Sequence, residues 1–111
     1  MAQQIVTVTG SAAARLARFF PTASPVRIPV RLTRLDAGEP VGQDIVIDFG
    51  TAREVLFAST CRLEFGDRLR LQNADGSFDV EVQVVAVQYY ENQTAVAARF
   101  SRQFPNWILK S

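Results

Sequence analysis

Histidine does not occur in the 111 residues, and cysteine, methionine and tryptophan occur once each. Without histidine, the commonest general base and a frequent zinc ligand are missing. Cys61 has no second cysteine to form an internal disulfide and no histidine to activate it, so a small half-buried side chain in a loop is expected there. Neither sign of charge dominates: 12 basic and 11 acidic side chains leave a net charge of +1. That balance argues against a broad surface for a nucleic acid polymer. The hydrophobic runs fall far short of the roughly 20 residues that a membrane-spanning helix needs. No leader-like stretch opens the chain, and a cytoplasmic location without membrane insertion is the expectation.

Other catalytic signatures are missing too. There is no phosphate-cradling glycine loop and no cluster with metal-ligand spacing. Asp44 and Asp48 share one strand face, but four residues at ~3.3 Å each hold them ~13 Å apart. A glycosidase-type carboxylate pair needs roughly 5 to 10 Å. The chain is therefore expected to be a binding protein rather than an enzyme, with no cofactor and no metal.

What the chain does have is a 48% hydrophobic composition arranged in two styles. Residues 1–25 read as an extension and linker, and residues 26–111 as one barrel domain with a C-terminal tail. Ile5 to Thr9 favours extended structure through its β-branched residues. Ala12 to Phe20 reads as a helix capped by Ser11 and stopped by Pro21. Leu16, Phe19 and Phe20 give that helix an apolar stripe, to pack on the barrel or on a second subunit.

From Val26 the period becomes two. Val26, Ile28, Val30 and Leu32 point one way and Arg27, Pro29, Arg31 and Thr33 the other. Pro29 cannot donate to a ladder, so this strand should be an edge or carry a bulge. Ile45, Ile47 and Phe49 mark a second strand, Glu54 to Ala58 a third, and Leu69 and Leu71 a fourth. Asn73-Ala74-Asp75-Gly76-Ser77 is a hairpin signal, because Gly76 can take a positive φ. The fifth strand starts with Phe78, Val80, Val82 and Val84 facing inward. Near Val84-Val85 the apolar register flips to Val85, Val87 and Tyr89, as a β-bulge would make it do. Thr94 to Phe100 is the sixth. Six antiparallel strands with short connections favour a small closed barrel, because closure removes exposed edges. Phe104 and Trp107 make the tail too apolar for a free end, so it should dock on the barrel or on another chain.

Eleven of the twelve basic residues are arginine. Its planar fork of donors matches phosphate oxygens in pairs and stacks on aromatic planes. Arg27, Arg31 and Arg34 lie along the first barrel strand, and Arg53 follows the second. Aromatic residues do not interleave with them as a single-stranded nucleic acid would require.

The segments Pro25-Val26-Arg27-Ile28-Pro29-Val30-Arg31-Leu32, Ile45-Val46-Ile47-Asp48 with Val55-Leu56-Phe57, and Leu63-Glu64-Phe65-Gly66-Asp67-Arg68-Leu69-Arg70-Leu71 stand in a telling order. With Val84-Val85-Ala86-Val87 and Ala97-Ala98-Arg99-Phe100, they resemble the PilZ domain, a bacterial six-stranded barrel with a C-terminal helical or irregular tail. The resemblance covers about Val26 to Trp107. It implies an all-β fold with a short N-terminal helix and a role in second-messenger signalling. Many members bind cyclic di-GMP through R-x-x-x-R at or before the first strand and D/N-x-S-x-x-G after the second. Carried over, those motifs fall on Arg27 and Arg31 and on Asp48 to Arg53. Here the arginines sit inside the strand rather than near Phe20 and Ser24, Gly50 replaces the serine, and Arg53 replaces the glycine. A lost hydroxyl removes a hydrogen bond of about 1 kcal/mol net, and such losses multiply in affinity.

The resemblance with its altered motifs implies a regulatory or adaptor domain acting through protein contacts, with weak or absent cyclic di-GMP binding. A second reading is a working receptor that uses Arg27, Arg31 and Asp48, with Arg53 as a replacement phosphate contact. A third is a structural homodimerisation domain that uses Leu16, Phe19, Phe20, Phe104 and Trp107.

Overall fold

A computed structural model describes residues 12–35 and 42–102. The strand expected at Ile5 to Thr9, the Ser11 cap and the tail carrying Phe104 and Trp107 lie outside the described residues. One helix, α1 (Ala12–Ala17), precedes six strands: β1 (Ser24–Arg34), β2 (Gly42–Gly50), β3 (Glu54–Ser59), β4 (Arg68–Gln72), β5 (Asp79–Tyr89) and β6 (Thr94–Phe100). All pairings are antiparallel, and the strands close into a barrel in the order β1-β2-β3-β6-β5-β4. The all-β barrel with a short N-terminal helix is the fold that the sequence led us to expect.

Alternation builds the interior. Leu32, Ile47, Phe57, Leu69, Leu71 and Val84 are almost wholly buried inside the barrel, while their strand neighbours Arg31, Val46, Arg68 and Arg70 are exposed. β3 and β6 break the alternation, being buried on both faces along nearly their whole length. The cause is α1, which lies on the barrel's outside and covers Leu56, Ala95 and Ala97 with Ala12 and Leu16. Small side chains on both surfaces let helix and sheet approach closely. A short run of unbroken apolar residues is what a strand covered on both faces requires.

The helix is shorter than the sequence pattern suggests. Beyond Ala17 the amides of Arg18, Phe19 and Phe20 donate to the carbonyls three residues back, the tighter spacing that commonly ends a helix. Phe20 still packs on the covered sector, but Phe19 is turned out and is 68% exposed. The expected stripe therefore loses its middle residue, because the three-and-four spacing aligns side chains only while the α-helix continues.

Three local features match their sequence signals. Gly76 has φ +78°, and the Asn73 side chain closes the β4–β5 hairpin by accepting from the Phe78 amide. The β5 register shifts between Val84 and Ala86 against Ala98 and Ala97. That bulge turns Val85 and Ala86 beneath the helix and returns Val87 to the interior, while Tyr89 is exposed, so Val85, Val87 and Tyr89 do not share the single face that the apolar pattern suggests. Pro29 lies in the part of β1 that pairs with β2 but, among the described residues, not with β4. Its missing N–H therefore costs no rung on that open side.

Candidate functional site

β1 pairs with β4 only over Arg31 to Arg34. Ahead of that, its first half is separated from the β4–β5 hairpin by a groove of about 670 Å³, lined by Pro29, Val30, Arg31, Asp44, Ile45, Val46, Gln72, Asn73 and Ala74. Beyond the groove, one mouth of the barrel gathers the start of β1, the β2–β3 turn, the β4–β5 hairpin and the end of β6. Ser24 pairs with Gly50, and Phe100 N donates to Arg53 O. Partly buried Val26, Ile28 and Val80 give this end an apolar lining.

Of the four ligand contacts that the resemblance implies, three fall at the mouth and one does not. Arg27 and Asp48 meet where both strands are irregular. The β1–β2 register shifts between Pro25 and Ile28, and the β2–β3 register between Ile47 and Phe49. Burial pushes the Asp48 carboxyl above its ordinary value, and the nearby Arg27 guanidinium pulls it partly back. Arg53 is exposed in the adjoining turn.

Arg31 points elsewhere. Its Nη1 lies 3.2 Å from Asp44 Oδ1, the residue directly across the ladder. The same guanidinium lies over Gly42, where an added Cβ would be 2.9 Å from Nη2. Gly42 is ~20 Å along β2 from Asp48 at strand rise. The literal R-x-x-x-R spacing thus places its two arginines on different features, one at the mouth and one in the groove.

The turn that carries Arg53 is braced from within. Thr51 Oγ1 accepts from the amides of Arg53 at 3.0 Å and Glu54 at 2.9 Å, and it donates to the Glu54 carboxylate. The other Glu54 oxygen takes Arg99 Nε and Nη2 at 3.3 and 3.1 Å. Thr51 and Glu54 are both buried, so the hydroxyl and the carboxylate are committed to shaping the turn.

The residues expected at a protein interface divide as well. Leu16 is 3% exposed against the chain's own barrel, while Phe19 is open to contact. Cys61 is a half-buried free thiol in the loop after β3. Among the described residues, no helix is long and apolar enough to cross a membrane, and no three His, Cys, Asp or Glu side chains gather as metal ligands.

The sequence reading passed over Arg102. It follows β6 at the same mouth, two residues beyond Phe100, which is bonded to the Arg53 carbonyl. Nothing local marks it, because only the pairing of β3 with β6 brings the end of β6 beside Arg53. A scan against protein-family models finds no match to this chain, and a search of curated proteins finds none either.

Proposed function

We propose that this chain is a PilZ-like regulatory or adaptor domain of bacterial second-messenger signalling, acting through protein contacts and binding cyclic di-GMP weakly or not at all. The closed six-stranded barrel agrees with the fold that the resemblance implies. The observation that carries the reading is the engagement of Arg31 with Asp44, away from Arg27 and Asp48. A phosphate grip by two arginines needs both forks on one anion, and here one fork lies in a different groove. The braced Thr51–Glu54 turn supports the same reading, since reshaping it around a ligand would break several bonds at once.

A second reading, a working cyclic di-GMP receptor, draws support from the placement of Arg27 beside Asp48 and of Arg53 in the next turn. Calorimetric titration with cyclic di-GMP decides between them. The adaptor reading expects no binding tighter than the micromolar range, and a sub-micromolar dissociation constant overturns it. The receptor reading expects Arg27→Ala and Arg31→Ala each to abolish binding, and it fails if both bind like the parent.

A further inference from the structure

The outward faces of the six strands differ. α1 lies over those of β3 and β6, and β4 and β5 are joined by the Arg70–Asp79 and Arg68–Glu81 pairs. The outer face of the β1–β2 ladder has an apolar centre instead. Pro29 pairs directly with Val46, and both are exposed, Val46 by 37%. The next outward rung, about 7 Å along the strands, sets Arg31 opposite Asp44 at 3.2 Å. On the other side of Pro29, Arg27 is near enough for its charge to act on the Asp48 carboxyl. Both cations thus belong to β1 and both anions to β2, with the apolar pair between them.

We propose that this face associates with the same face of a second copy of the chain, about a twofold axis parallel to β1 and β2. Turning one copy about that axis lays β1 of each over β2 of the other. Arg31 then meets Asp44 of the second copy, and Pro29 meets its Val46. A twofold contact needs a patch that is complementary to itself. A column of cations beside a column of anions meets that condition about this axis, whereas an axis across the strands would set arginine on arginine. An unrelated partner would have to carry the reversed pattern, which a second copy presents of necessity. This surface is separate from the α1 and tail residues expected at a dimer interface from the sequence, and it does not rest on the adaptor reading.

The charges are prepared for such a contact. Arg31 and Asp44 already hold each other within one copy, so part of the entropy of fixing two long side chains is spent before association. The axis sets two such pairs antiparallel, and each charge gains a second opposite neighbour. Edge pairing is the other way for a second copy to add. Ahead of Arg31, β1 has no β4 partner among the described residues, so that edge faces the groove. Pro25 and Pro29 withhold amides from this stretch, as protected edge strands do, which leaves the face rather than the edge. Two strands span only about 10 Å, so the contact belongs to the small, transient class below about 1,200 Å² in total. A dissociation constant on the order of 100 μM fits a contact of that class.

Sedimentation equilibrium of the full chain from about 10 μM to 1 mM brackets that constant. The mass should rise from monomer toward dimer, and the rise should shrink as NaCl goes from about 50 to 300 mM, because exposed charges are screened. R31D and D44R each replace two attractions across the axis by two repulsions. At a few-fold apiece these multiply to at least about tenfold weaker association. R31D/D44R exchanges the two charges and restores self-complementarity, so it should dimerise better than either single variant. V46K puts an ammonium into the dry centre and should abolish the dimer, whereas E81R, on β5, should dimerise like the parent. Arg31 and Asp44 are exposed, so circular dichroism should show their variants folded; should one fail to fold, the other and V46K still decide. A monomer at the highest concentration, undiminished dimer in R31D, D44R and V46K, a double variant no better than the singles, or an equal loss in E81R would each overturn the proposal.

Discussion

Arg31 and Asp44 face each other across β1 and β2 with 3.2 Å between guanidinium and carboxylate, and their side chains are 61% and 85% exposed. Water screens such a pair, and holding two mobile side chains together costs entropy, so its contribution to stability is at most about 1 kcal/mol. Its importance lies in where it holds the guanidinium. Arg31→Ala and Asp44→Ala should each shift the urea midpoint by no more than that energy implies. Asp44→Ala should also leave cyclic di-GMP affinity unimproved, because Arg31 is anchored opposite Asp44, ~13 Å along the strand from Asp48. A clear gain in nucleotide binding by Asp44→Ala would show that the pair was masking a competent site.

Asp48 gives a pH dependence of unusual sign. Its carboxyl is raised by burial, with Arg27 opposing, so the folded state holds the proton more tightly than the unfolded chain does. At neutral pH this charged group therefore detracts from stability. The penalty is relieved as pH falls through the raised native value toward about 3.9. Asp75 and Asp79 act in the opposite direction: bonds from Ser77 and Arg70 lower them, and their contribution fades as pH drops through their lowered values. A carboxyl-carbon NMR titration should find the Asp48 midpoint above that of an ordinary aspartate, and higher still in Arg27→Gln. A midpoint at or below the ordinary value in the parent would contradict the burial of this carboxyl at the paired bulges.

Tyr89 ties the β3–β4 connection to β5. Its hydroxyl donates to the Leu63 carbonyl at 2.8 Å, while Arg62 covers its ring at 3.9 Å. Tyr89→Phe keeps the ring and loses only the hydroxyl, so it should cost about 1 kcal/mol in chemical denaturation. Tyr89→Ala should cost more, by roughly the 0.5–1 kcal/mol of an exposed cation–ring contact, besides the lost packing. Equal costs for the two variants would mean that the ring adds nothing to the latch.

Much of this fold is legible in the chain because strand signals are local. The alternation from Val26, the flip at Val84-Val85 and the turn at Gly76 each report backbone geometry through neighbours in sequence. The site is less legible because its geometry is tertiary. R-x-x-x-R reads as a unit, yet in an extended strand its arginines are ~13 Å apart, and only the β2 register reveals that Arg31 has Asp44 opposite it. The buried outer faces of β3 and β6 look like interior strands until α1 is laid across them. The exposure of Phe19 depends on a helix ending three residues earlier than its composition suggests.

That early ending sets the last prediction. Leu16 is 3% exposed and packs against the sector formed by Leu56, Ala95 and Ala97, whereas Phe19 is 68% exposed. Truncating a buried leucine removes its transfer energy and leaves a cavity, so Leu16→Ala should destabilise the protein by about 2–5 kcal/mol. Phe19→Ser alters a side chain already in water and should stay within about 0.5 kcal/mol. Thermal and urea unfolding of the two variants side by side make the comparison. If Phe19→Ser proves the costlier, the helix continues past Ala17 in solution and its whole stripe is covered, by this barrel or by a second copy. Sedimentation of that same variant would tell those two apart, because only coverage by a second copy makes the loss of Phe19 lower the mass.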